Sequence, residues 1–295
     1  MTLYWRNKVA LITGGTAGLG LDLARALSRG GARVVLVGRD AAKIEASVNA
    51  LRREFKNDPA LEALRRETEL LDGDSQGIEQ RFVVGLSADV TKQDQVDSTL
   101  ARAVDRFGKL DLLVNCAGKS ARGEAAATTP QQFQELWETN FLGVVRCTRA
   151  ALPHLIKSQG HLVNIGSLAS KAASRYLGAY PASKFAVAAY SQQLRLELAE
   201  KNVHVLLVCP GPIRRDDSGE RYTAAAHELP AAARQPGAGV KLKGLDPARL
   251  AAQILRACER RQVELVAPAK ARLLFALAQL WPGLGDWLLR KFTAG

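Results

Sequence analysis

The chain has 295 residues, 47% of them hydrophobic, and a formal net charge of +12, so it is long enough to bury one large core. Residues 241–295 hold ten basic and four acidic residues, +6 of that charge, interleaved with apolar residues as on solvated helix faces; no long basic run or recognition motif for nucleic acid is present. No stretch reaches the roughly 18 uninterrupted apolar residues that would cross a bilayer, and Cys116, Cys147, Cys209 and Cys258 form no Cys-x-x-Cys pair. The expectation is a cytoplasmic protein with neither a metal site nor a disulfide framework.

Lys8 to Thr13 reads as a strand, a glycine-rich turn follows, and Leu19 to Ser28 repeats apolar residues at helical spacing until Gly30-Gly31 ends it. Arg33 to Val37 is a β-branched run fit for a buried strand, and Ala41 to Phe55 is helical. Phe82–Leu86, Leu110–Asn115, His161–Gly166 and Val203–Cys209 are further short apolar runs separated by helical stretches. Such alternation predicts α/β architecture: a single-domain Rossmann fold, a doubly wound parallel sheet with helices on both faces. Residues 57–80 read as a surface insertion, and 212–245, rich in proline, glycine and mixed charge, as a lid beside the substrate site. Thr129-Pro130 starts a helix whose stripe of Phe133, Leu136, Trp137, Phe141, Val144, Val145 and Leu152 is expected in the core, and Asp246-Pro247 starts another.

The turn Thr13-Gly-Gly-Thr-Ala-Gly-Leu-Gly20 stands between the first strand and the first helix. A pyrophosphate needs close backbone approach and free N–H groups at a helix N-terminus, and Gly14, Gly18 and Gly20 are spaced to provide both. The end of the second strand should meet the adenosine ribose. There the chain reads Val37-Gly38-Arg39-Asp40: no acid stands at Gly38, and Arg39 can clamp a 2′-phosphate. NADP(H) is favoured, with NAD(H) kept as the alternative through Asp40.

Tyr180 and Lys184 are four apart on a helix and share one face, which brings an ammonium near a phenol whose ordinary pKa is about 10. The positive charge favours phenolate, so Tyr180 can exchange a proton with a carbonyl oxygen. Ser167 follows a strand at the C-terminal edge of the sheet and can hold that oxygen. Asn140, inside a helix, can hold a water through its side chain or through the backbone it perturbs. A Ser-His-Asp hydrolase fits poorly, because Gly166-Ser167-Leu168-Ala169 lacks the Gly-x-Ser-x-Gly elbow, and His154, His161, His204 and His227 read as structural.

With these residues the chain resembles the short-chain dehydrogenase/reductase family from about Lys8 to Ala267. The glycine turn matches its cofactor turn and Asn115-Cys-Ala-Gly118 its Asn-Asn-Ala-Gly segment. The resemblance implies a cofactor site of Gly14, Thr16, Gly18, Leu19 and Gly20, then Arg39, Asp89 and Val90. Asn115, Ala117, Gly118, Tyr180, Lys184, Pro210, Gly211 and Ile213 complete it. It also implies a tetrad in which Tyr180 is the general acid/base, Ser167 orients the carbonyl, Lys184 holds ribose and acidifies Tyr180, and Asn140 supports a water relay. Homo-oligomers, dimers or tetramers, are common in the family. Arg215 replaces the threonine usually found two residues after the Ile213 position. Arg214-Arg215-Asp216-Asp217 is read as a solvated loop, with a contact for an acidic substrate or the cofactor pyrophosphate as the alternative.

Residues 269–295 extend past this 1–268 unit. Leu273, Leu274, Phe275, Leu277, Leu280, Trp281, Leu284, Trp287, Leu288 and Leu289 lie among Lys270, Arg272, Arg290 and Lys291, the composition of a membrane-surface helix or of one packed on its own domain or a dimer mate. The reading is an NADP(H)-dependent oxidoreductase interconverting a carbonyl and a secondary alcohol on an apolar, lipid-like substrate, with peripheral membrane contact through this tail. The alternative is a catalytically silent dinucleotide-sensing regulator or scaffold of the same fold.

Overall fold

The computed structural model describes residues 3–59, 62, 82–215, 229–234 and 243–293. Most of the expected insertion at 57–80, and 216–228 and 235–242 of the expected lid, lie outside the described residues. Strands β1 (Val9–Thr13), β2 (Arg33–Gly38), β3 (Val83–Ser87), β4 (Leu112–Asn115), β5 (His161–Ile165), β6 (His204–Pro210) and β7 (Glu264–Ala267) form one sheet in the order β3-β2-β1-β4-β5-β6-β7. All six pairings are parallel, as the alternating pattern predicts.

Because strand side chains alternate between faces, the same short runs feed two cores. Ala10 and Ile12 point to one side, packed with α1 (Gly18–Arg29), α2 (Ala41–Asn57) and α7 (Pro247–Glu259). Val9 and Leu11 point to the other, packed with α3 (Gln93–Phe107), α5 (Gly143–Ser158) and α6 (Tyr180–Glu197). Leu11, Ile12, Leu36 and Leu113 are fully buried, each contributing about 1.5–3 kcal/mol over an exposed position. Gly30 caps α1 and Gly31 follows at φ +77°, a left-handed position that glycine adopts without strain. The Asp246 carboxylate accepts from the Arg249 N–H, so Asp246-Pro247 starts α7 by a side-chain cap followed by proline.

Two features depart from the sequence reading. Strand β7, at the sheet edge, has only four residues and opens on Glu264, which leaves too short an apolar run to mark it. The helix from Pro130 is also not one amphipathic stripe: α4 (Pro130–Trp137) buries no residue, and Phe133 and Trp137 are 37% and 39% exposed. A π-helical turn, Glu138–Leu142, separates α4 from α5. It shifts the helical phase, so α5 buries Val144, Cys147, Thr148, Ala151 and Leu155, while Val145 and Leu152 are only half-buried.

At the N-terminal edge of the sheet, His161 and His204 open β5 and β6 side by side. His204 Nε2 lies 2.7 Å from the Gln262 carbonyl, which can only accept, so that nitrogen carries the proton. His204 Nδ1 then accepts from His161 Nδ1–H at 2.8 Å, and His161 Nε2 accepts from the Tyr4 hydroxyl at 2.6 Å. Burial first, then the neighbouring His204 and the cations Arg261 and Lys8, push His161 down to about 3. Cys258 Sγ lies within 4.8 Å of both imidazoles, but the hydrogen-bond chain already engages all four ring nitrogens. His161 and His204 therefore serve the sheet.

Candidate active site

The sheet order reverses around β1 and β4, where open α/β sheets bind ligands at the C-terminal ends of the strands. Thr13 ends β1 there. Its hydroxyl accepts from the backbone N–H groups of Cys116 and Ala117 at 3.1 and 3.2 Å, tying the glycine turn to the loop after β4. A Cβ on Gly14 (φ +66°) would stand 2.9 Å from the Ala117 backbone, and one on Gly20 would stand 2.3 Å from the Gly14 carbonyl oxygen. Only glycine fits these approaches. Helix α1 starts at Gly18 and its N-cap residue, Ala17, offers no side-chain cap, which leaves the first-turn N–H groups to a ligand. Leu19 is buried beneath the turn.

At the end of β2, a Cβ on Gly38 would stand 3.2 Å from Thr16 Cγ2. Arg39 beyond it is exposed, with Nη1 3.9 Å from Asp89 Oδ2. The Asp40 carboxylate accepts from the Lys43 N–H at 3.0 Å as the cap of α2, and that bond holds its carboxyl below the usual range. Partial burial works to raise the Asp89 carboxyl, but hydrogen bonds from Thr91, with Arg39 nearby, outweigh it and hold the group low. Val90 is buried against the backbone of Gly143.

Asn115 ends β4 with its side chain inside the protein, where its Nδ2 donates to Thr148 Oγ1 at 3.1 Å and Asn164 Oδ1 at 2.9 Å. Asn164 in turn donates to Ser191 Oγ at 2.9 Å, which joins β4, β5 and α6. Through these Nδ2 bonds the Asn115 side chain is a brace between strands. Thr148, Asn164 and Ser191, which hold the site's floor, carry no sequence signature; only their places at strand ends and helix faces could have marked them.

Tyr180 opens α6 and Lys184 sits one turn on. Lys184 is 6% exposed, its Nζ lies 5.9 Å from the Tyr180 ring centre, and it donates to the Ile165 carbonyl at 2.8 Å. Burial drives its pKa down to about 8, opposed by Cys116 and Cys209. Ser167 follows β5 in extended backbone, its Oγ accepting from the Ala169 N–H at 3.1 Å, and Ala169 packs with Leu177 against Tyr180. Asn140, fully buried in the π turn, accepts from the Lys119 N–H at 2.7 Å and donates to the Lys119 carbonyl and Ser183 Oγ. A Cβ on Gly118 would stand 3.1 Å from Asn140 Oδ1 and 3.7 Å from Lys184 Nζ, so the loop after β4, the π turn and α6 converge there. Gly211, on the strand edge after Pro210, donates to the Ala267 carbonyl, and Ile213 bridges to Leu245.

A parallel sheet in this order, a glycine turn at its switch point and a Tyr-Lys pair beside it define an oxidoreductase of Rossmann type. Comparison with known proteins makes the assignment narrower. The profile of the short chain dehydrogenase family matches residues 8–69 and 60–225. Dehydrogenase/reductase SDR family member 7B of Bos taurus is 32% identical over 290 residues, 96% of this chain and 81% of that protein. L-fucose dehydrogenase of Bos taurus is 31% identical over 242 residues, 82% and 76% of the respective chains. Among solved structures, an actinorhodin polyketide ketoreductase with NADPH superposes with a TM-score of 0.71 at 25% identity, covering 88% of this chain and 95% of that one. A short-chain dehydrogenase from Streptomyces avermitilis gives 0.70 at 26% identity, with 96% of each chain covered. The protein belongs to the short-chain dehydrogenase/reductase family.

Proposed function

We propose that this oxidoreductase uses NADP(H) to interconvert a carbonyl and a secondary alcohol on an apolar, lipid-like substrate, and that Tyr180 is its general acid/base. The observation that carries the reading is the buried Lys184 ammonium one helical turn from the Tyr180 phenol. The tight turn that only Gly14 and Gly20 permit sets the uncapped start of α1 where a dinucleotide pyrophosphate fits, and the dinucleotide would supply or take up the hydride when bound. Tyr180 moves the matching proton between its hydroxyl and the substrate oxygen. Lys184 favours the phenolate form and holds the ribose, and the Ser167 hydroxyl donates to the same substrate oxygen. Both Asn140 Nδ2 protons are committed to Lys119 and Ser183, so a water beside this residue falls to the backbone of the π turn.

Arg39 supports NADP(H): it stands exposed at the ribose end of β2, and Asp40, the residue that would favour NAD(H), is engaged as a helix cap. The protein acts as a homo-oligomer in the cytoplasm, peripheral to a membrane. Helices α8 (Ala271–Leu280) and α9 (Pro282–Thr293) are tethered by buried Phe275, yet they expose Leu273, Leu280, Trp281, Leu284 and Trp287 beside four basic residues. Leu280 to Leu284 line an open cavity of about 570 Å³. A two-fold contact would set this basic rim against itself, whereas anionic lipid complements it. No described helix is long and apolar enough to cross a membrane.

The direct test is Tyr180→Phe. Turnover of ketones with NADPH should fall by about 10²-fold or more, the usual worth of a positioned acid, while NADPH binding stays within about threefold. Full turnover in the variant would refute the assignment. A native chain that binds NADPH but reduces no steroid, sphingoid, acyl or small ketone would instead favour the silent sensor.

A further inference from the structure

Arg215, an exposed residue of the segment leaving β6, reaches back with its guanidinium to the glycine turn. A Cβ on Gly18 would stand 3.1 Å from Arg215 Nη1 and 3.7 Å from its Cζ. Gly18 is the first residue of α1, so the side chain hangs over the helix N-terminus. The same charge reaches the Cys116 thiol after β4: burial raises that thiol to about 11, and Lys184 and Arg215 pull against it. The guanidinium therefore lies over the glycine turn, with its charge felt at the end of β4.

We propose that Arg215 is a pyrophosphate-binding residue of the cofactor site, which joins the substrate-side segment to the glycine turn. The inference rests on the dinucleotide reading above. A guanidinium offers a planar fork that pairs with two phosphate oxygens, and here it adds a full charge to the partial positive charge of the α1 N-terminus. Gly18 leaves the room it occupies; a Cβ there would press on the guanidinium at 3.1 Å. Two arginines then divide the work. Arg39, at the ribose end of β2 beside Asp89, reads the 2′-phosphate, and Arg215 holds the diphosphate common to NADPH and NADH. Arg215 therefore tightens both cofactors without choosing between them.

The test uses the full chain and its Arg215→Ala and Arg215→Lys variants, titrated by calorimetry with NADPH, NADH, ADP-ribose and 2′-AMP. Arg215→Ala should weaken NADPH, NADH and ADP-ribose by about tenfold or more, as loss of a charge-assisted pair does, leave their ratios unchanged, and leave 2′-AMP, which has no diphosphate, unaffected. Arg215→Lys should recover part of the loss, and it also serves if the alanine variant misfolds. A change below about threefold for ADP-ribose, an equal loss for 2′-AMP, or a raised substrate KM with unaltered cofactor binding would overturn the proposal. If the native chain binds neither dinucleotide, the reading beneath it fails instead.

Discussion

Replacing Lys184 by methionine should stabilise the protein while silencing it. Burial holds the ammonium at about 8 against an ordinary 10.5, a depression that corresponds to about 3 kcal/mol of unfavourable charge burial at about 1.4 kcal/mol per pH unit. Methionine removes that cost but leaves the Ile165 carbonyl without its 2.8 Å donor, which costs about 1 kcal/mol. The net gain of about 2 kcal/mol corresponds to about 3 °C in Tm, taking about 2 cal/mol/K of unfolding entropy per residue for 295 residues. The pH dependence has a definite sign. Below pH 8 the native lysine is charged and the full cost is present. Between pH 8 and 10.5 the native state releases a proton that the unfolded chain keeps, so native stability rises across that window. Thermal melts of the cofactor-free protein from pH 7 to 10.5 should show this rise in the native chain minus the variant, while turnover falls by about 10²-fold or more. A Lys184→Met protein that melts below the native chain at pH 7, or follows the same pH slope, would show that the buried ammonium carries no such cost.

Arg39→Ala should weaken NADPH by about 10- to 100-fold, the worth of about 1.5–3 kcal/mol for a charged hydrogen bond, and NADH by less than about threefold; equal losses would remove the cofactor preference. The exposed pair Trp281 and Trp287 (57% and 50% exposed) should carry membrane association. The double alanine variant should fail to float with phosphatidylcholine–phosphatidylserine vesicles that bring up the native chain, with reductase activity intact. A native chain that ignores such vesicles, but forms dimers that the same variant abolishes, would assign the face to a second copy.

The strands from β1 to β6 were legible because each is a short run of mainly apolar residues set between helical stretches, and the turn at Gly14 to Gly20 because close backbone approach admits no other residue. Periodicity failed at Phe133 and Trp137. It assumes one helical phase, and the π turn at Glu138–Leu142 adds a residue that carries the stripe off the core. Tyr180 and Lys184 were legible as a pair since four residues of helix set their spacing. Asn115 was not legible as a brace, because its partners Thr148 and Asn164 arrive from other elements 33 and 49 residues away. Arg215 was ambiguous for the same reason: only the fold brings it to Gly18.

The paired imidazoles beneath the sheet bear on where this enzyme can work. Native His161 resists protonation down to about 3 and His204 is lowered as well, both chiefly by burial, whereas in the unfolded chain both accept protons near 6.5. As acidity increases past that point, the unfolded chain gains protons that the native floor refuses, and the balance tilts toward unfolding. Lys184, lowered by burial to about 8, loses its proton only on the alkaline side. Mild acid therefore threatens the architecture before it touches that ammonium, and the threat comes from the edge of the sheet opposite the tyrosine.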